Sequence, residues 1–177
     1  MSATGLVWYD PRGLLLRVGV MDRALPAQKG DTAVAVTMKE ITLWRREIEN
    51  RPGVLAQVLE PLAGSAADLQ VLMAYRFPGD ETRGAVELFP ISGKKATAAA
   101  EAAGQVRADI PALLVEGSNR AGIGFETTNA IAAAGINLAF LVAQVIGSKF
   151  SAVYGFDSEA DRRKAVSLLR KATPSKR

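Results

Sequence analysis

The sequence of 177 residues contains no cysteine and no histidine. Disulfides and Cys/His zinc sites are therefore impossible, and so is a nucleophile activated by an imidazole, whether Ser-His-Asp or Cys-His. Catalysis would have to rest on carboxylates, lysine or tyrosine, and none of these stands at a spacing that builds a site. The expectation is a protein that is not an enzyme, with no catalytic residues, no metal site and no cofactor. Also missing are a run of about 18 apolar residues, which a membrane-spanning helix needs, and a basic N-terminal stretch leading into an apolar one, which marks a secretory signal. A cytoplasmic location is expected. What the chain does have is ordinary globular material, 49% hydrophobic and 23% charged, enough to bury one large core or two small ones. The excess behind its net charge of +4 is concentrated late, in residues 162–177, where a solvated helix and tail accommodate it. No nucleic-acid or membrane partner is implied.

Matching segments then divide the chain. Asn50-Arg51-Pro52-Gly53-Val54 returns 69 residues later as Asn119-Arg120-Ala121-Gly122-Ile123. At the same offset, without a gap, Gly64-Ser65-Ala66-Ala67-Asp68-Leu69 faces Ala133-Ala134-Gly135-Ile136-Asn137-Leu138. Two matches at one offset mark an internal repeat. In the first copy, Ile41 and Leu43 alternate with polar residues and predict a strand over 40–48. Val54, Leu55, Val58, Leu59 and Leu62 then share one helical face, so a helix starts near Pro52 and ends by Pro61 and Gly64. Residues 69–77 and 84–91 read as strands around a polar hairpin loop at 78–83, and 94–106 as an alanine-rich helix. The second copy repeats the order, with a strand at 112–116, a helix at 123–134 and strands at 138–146 and 150–156. A last helix, capped by Ser158, buries Ala165, Leu168, Leu169 and Ala172. The order β-α-β-β-α is written twice, which predicts an α+β fold with antiparallel sheets.

The first turn, Glu49-Asn50-Arg51-Pro52-Gly53-Val54-Leu55, resembles the signature of the ACT domains. In that family an apolar strand leads through a short polar stretch and Arg/Lys-Pro-Gly into a helix opening with a branched apolar residue. The second copy departs from the signature at Ala121, where it has proline. The resemblance covers residues 38–172 and implies two ferredoxin-like βαββα units, a tandem ACT-domain protein whose units sense amino acids at an interface between two domains. The units are expected at 38–109 and 110–173, preceded by an N-terminal extension at 1–37, either β-rich or not a native part of the protein, and followed by a basic tail at 174–177. The family's unit normally closes with a fourth strand, which neither copy shows. An open first-strand edge is an aggregation hazard, so pairing of the two copies or of two chains, or the extension, is expected to cover it; a homodimer is the resulting expectation.

A strand that turns through glycine into a helix leaves the first helical N–H groups unpaired, with the positive end of the helix dipole behind them, and a carboxylate fits there. The candidate binding residues are Gly117, Asn119, Arg120, Gly122, Ile123, Gly124, Thr127 and Asn137 in the second copy, and Asn50, Arg51, Gly53, Val54 and Asp68 in the first. Thr127 and Thr128 stand where the first copy has Val58 and Leu59, which favours the second copy as the binder. Plainer roles exist for each: Gly53 and Gly122 suit tight turns, Arg51 and Arg120 suit solvated positions, and Asp68 and Asn137 suit caps. Gly122-Ile123-Gly124 begins a dinucleotide fingerprint, but Thr127 occupies its third glycine position. Phe150, Tyr154 and Phe156 alternate onto one face and are expected to be buried rather than to stack on bases. The expected function is that of a stand-alone regulatory module that binds an amino acid or similar small carboxylate effector and acts on a separate regulated enzyme or regulator. The alternative is a non-catalytic scaffold or oligomerisation module with vestigial ligand sites.

Overall fold

The computed structural model describes residues 36–173. The expected extension, apart from its last two residues, and the expected tail lie outside the described residues. Twelve elements follow in order: β1 (Val36–Ile41), β2 (Trp44–Glu49), α1 (Val54–Ala63), β3 (Val71–Phe77), β4 (Asp80–Phe89), α2 (Lys94–Ala102), β5 (Val106–Arg107), β6 (Ala112–Ser118), α3 (Ile123–Ala132), β7 (Leu138–Ile146), β8 (Lys149–Phe156) and α4 (Glu159–Ala172). They form two antiparallel four-stranded sheets, β3-β4-β2-β5 and β1-β6-β8-β7, each with a helix pair on one face, the α+β arrangement expected for ferredoxin-like units.

Two expectations are corrected here. The single strand over 40–48 is two strands, because Thr42 and Leu43 carry the chain from one sheet to the other. Alternation correctly marks Ile41 and Leu43 as buried, at 3% and 0% exposure, but what they enter is the core between the sheets, with Val71, Met73, Phe89, Ala112, Leu114 and Val153. The fourth strand, expected to be missing, is present in both sheets. β5 pairs with Trp44 and Arg45 beside the first unit's leading strand. In the second sheet the position is taken by β1, which runs antiparallel to β6 from Val36↔Gly117 to Ile41↔Ala112. Residues 38–41, expected at the start of the first unit, thus complete the second sheet instead, and the two sheets are tied together covalently at residues 42–43.

The 69-residue offset holds through three elements. Trp44 and Leu113 are equivalent in the leading strands, and Leu72 and Leu141 in the next. Along β4 and β8 the offset falls to 66, since Leu88 and Tyr154 are the common partners of those pairs; the second hairpin is three residues shorter. On the helix side the first unit buries Trp44, Val58, Leu62, Val86, Leu88 and Ala100. The second buries Leu113, Val115, Ile131, Phe150, Tyr154 and Phe156, so the aromatic alternation of β8 is core packing, as expected. The Ser158 hydroxyl accepts from the Asp161 N–H at 3.1 Å, a cap worth about 1 kcal/mol. No helix among the described residues is long and apolar enough to cross a membrane.

Candidate binding site at the second strand-to-helix turn

The two turns share one backbone design. Gly53 and Gly122 both adopt φ +84°, the left-handed conformation that glycine takes without a Cβ penalty, and each stands at a helix N-terminus that no side chain caps. The Asn50 N–H donates to the Thr82 carbonyl and the Asn119 N–H to the Ser148 carbonyl, both at 2.7 Å, so each turn is anchored to the hairpin of its own unit. What separates the copies is side-chain chemistry.

A cavity of about 360 Å³ lies between the second turn, α3 and the β7–β8 hairpin, within the size range of small-molecule sites. The turn and helix contribute Asn119, Arg120, Gly122, Ile123, Gly124 and Thr127. The sheet contributes Leu141, Ala143, Gln144, Val145, Phe150, Ala152 and Tyr154. Tyr154 is buried and its hydroxyl donates to Thr127 Oγ1 at 2.8 Å; the Thr127 hydroxyl in turn donates to the Ile123 carbonyl at 2.9 Å. Burial raises the Tyr154 pKa, partly offset by this bond, so the phenol is neutral at physiological pH. Beside the cavity, both guanidinium NH2 groups of Arg120 donate to the carboxylate of Glu126, and that hydrogen-bonded cation holds the Glu126 carboxyl below its usual range. The equivalent of Thr127 is Val58 and that of Tyr154 is Leu88, both fully buried. The first unit therefore has an apolar contact where the second has a pair of hydroxyls.

Six of the residues singled out from the sequence, Asn119, Arg120, Gly122, Ile123, Gly124 and Thr127, come together around this cavity. Gly117 lies instead on a neighbouring cavity of about 550 Å³ with Thr37, Glu116, Ser118 and Lys149. Asn137 is exposed and lines neither. In the first copy, Asn50 donates its side-chain amide to the Glu81 carbonyl and Arg51 donates to Gln57, while Asp68 is exposed; none of these, nor Gly53 or Val54, lines either cavity. The sheet wall went unread in the sequence. Tyr154 reads from the sequence only as a core aromatic; its equivalence to Leu88 comes from the cross-strand register, Leu72↔Leu88 and Leu141↔Tyr154.

Solved structures of the same architecture exist. A protein from Bacteroides thetaiotaomicron superposes with a TM-score of 0.63 at 16% identity, over 76% of this chain and 89% of that one. The ligand-free regulatory subunit of aspartate kinase from Thermus thermophilus gives 0.54 at 18% identity, over 80% and 97%. The fold is ACT-domain-like. A third similar structure, E. coli aspartokinase III in complex with aspartate and ADP, gives 0.51 at 12% identity over 78% of this chain and 33% of that one. At such identities the likeness is one of fold, and function has to be argued from the site. No protein-family model and no curated protein matches the chain. Within the ACT-like fold, the 360 Å³ cavity occupies the turn between the leading strand and first helix of the second unit.

Proposed function

We propose that this protein is a regulatory module, not an enzyme, that binds an amino acid or similar small carboxylate effector at the Gly122 turn. The observation that carries the reading is the cavity itself, which opens onto the uncapped N-terminus of α3 and is walled by apolar side chains. The effector's carboxylate accepts hydrogen bonds from first-turn N–H groups, favoured by the helix dipole, and Gly122 and Gly124 let it approach the backbone closely. The Gly53 turn has the same backbone and is the weaker site. Similarity to regulatory subunits of aspartate kinase supports the reading, as does a chemistry that lacks histidine and cysteine. We place the protein in the cytoplasm, with a separate enzyme or regulator as its target.

Assembly is part of the proposal. Among the described residues β7 is an edge strand, whose nine residues carry no charge and expose Leu141, Val142, Val145 and Ile146, the kind of edge that proteins cover. Pairing with the β7 of a second copy covers it and brings two cavities to one interface in a homodimer. The same edge favours a second reading, an oligomerisation module with vestigial ligand sites. Thermal shift against the twenty amino acids separates the two. A ligand at 100 times its Kd stabilises by about 2.7 kcal/mol, or roughly 5–10 °C in a chain of this size. A dimer by light scattering that responds to no amino acid would leave only the scaffold.

A further inference from the structure

We infer that the effector's side chain is apolar, and that Ala143 and Ala152 set the size of side chain the site accepts; the inference rests on the binding reading just proposed. Ala143 and Ala152 are cross-strand partners on the helix-facing side of β7 and β8. The next rungs on that face are Leu141↔Tyr154 and Val145↔Phe150. Two alanines flanked by four large side chains leave a notch in the sheet wall, and all six residues line the cavity. The equivalent rung of the first unit is Ala74↔Val86, followed by Arg76↔Gly84, so the same place there is narrower and carries a cation.

The cation and the hydroxyls of the site are already engaged within the protein, which leaves the side-chain amides of Asn119 and Gln144 as the neutral polar groups of its lining. Of the described lining residues Arg120 alone is charged, and its guanidinium is held by both carboxylate oxygens of Glu126. The O–H of Tyr154 is donated to Thr127, and that of Thr127 to the carbonyls of Ile123 and Gly124. A charged or hydroxylated side chain entering the notch loses water and gains no counter-charge and no spare hydroxyl proton, which is costly. An aliphatic or aromatic side chain meets Leu141, Val145 and Phe150 instead. The effector class that fits is an amino acid with an apolar side chain, seated by its carboxylate on α3 and by its side chain in the alanine notch.

The test is calorimetric titration of the full chain with leucine, valine, phenylalanine, alanine, serine, aspartate and lysine. The apolar members are expected to bind at least about tenfold more tightly than aspartate, lysine or serine. Filling the notch with Ala143→Leu is expected to weaken the best apolar ligand by roughly 10- to 200-fold, the range for a mismatch of one methylene in an apolar pocket, and to leave alanine's affinity unchanged within about twofold. Ala143 is exposed, so the larger side chain does not crowd the core, and the smaller Ala143→Val is expected to give an intermediate shift. If serine, aspartate or lysine binds best, the inference is overturned and the regulatory reading survives. If both variants keep the parent's size preference, the alanine notch is wrong. If none of these seven binds and the thermal-shift screen of all twenty amino acids is equally silent, the regulatory reading and the inference fall together.

Discussion

Placing valine at Gly53 and at Gly122 in separate variants asks whether the two turns share a backbone but not a function. A Cβ added at Gly53 meets nothing within 4 Å, and one added at Gly122 meets only Glu126 Oε1, at an ordinary 3.7 Å. Neither substitution is opposed by crowding at the Cβ. The cost is conformational: both residues sit at φ +84°, where an L side chain costs roughly 1–2 kcal/mol, with the β-branched valine at the upper end. Both variants should therefore lose about the same stability, which corresponds to roughly 2–8 °C in Tm for a chain of this length. Binding should separate them. At Gly122 the valine methyls stand beside Glu126 and the first-turn amides, so amino-acid binding is lost, whereas Gly53→Val keeps it. Gly122→Asn, which tolerates the left-handed conformation better, should recover part of the stability. Differential scanning calorimetry measures the first effect and isothermal titration the second. Destabilisations that differ by more than about 2 kcal/mol refute the shared-backbone reasoning. Parental binding by Gly122→Val refutes the site, and loss of binding in Gly53→Val alone moves the site to the first turn.

Three further outcomes follow from the same structure. Leu43→Ala at the crossing between sheets, where the side chain is fully buried, should cost about 2–5 kcal/mol in denaturant unfolding; a loss under 1 kcal/mol would contradict the inter-sheet core. Tyr154→Phe removes the donor to Thr127 and should cost about 0.5–1.5 kcal/mol, and an unchanged midpoint would mean the hydroxyl is not engaged. Burial, and next the nearby Glu87 carboxylate that accepts a hydrogen bond from its hydroxyl, push the Tyr75 pKa up to about 12. The fold thus favours neutral Tyr75, so its contribution to stability is full below pH 10 and declines as pH rises toward 12. An absorbance titration in which all tyrosines ionise together near pH 10, unchanged by Tyr75→Phe except in amplitude, would be the contrary result.

Local order was legible in the sequence because its causes are local. The turn at Asn119 to Ile123 repeats the turn at Asn50 to Val54 because a glycine with positive φ followed by a branched apolar residue starts a helix in both copies, and each helix and hairpin carries its own periodicity and turn residues. The strand over 40–48 fails for a non-local reason. A strand's backbone pairs with whichever edge is open, and its alternation records which residues are buried but not in which sheet. Ile41 and Leu43 are buried as their pattern says, yet only the packed structure decides that 36–41 completes the second sheet and 44–49 belongs to the first. The candidate site divides in the same way. Six of its residues stand within nine positions of one another, from Asn119 to Thr127, and could be read directly. The wall formed by Leu141, Ala143, Val145, Phe150, Ala152 and Tyr154 exists only once β7 and β8 pair in register, with the hydroxyl of Tyr154 reaching Thr127 across 27 positions of chain. The sequence determined which turn is a helix N-terminus; tertiary pairing determined what faces it, because cross-strand neighbours are chosen by register, which no single segment encodes.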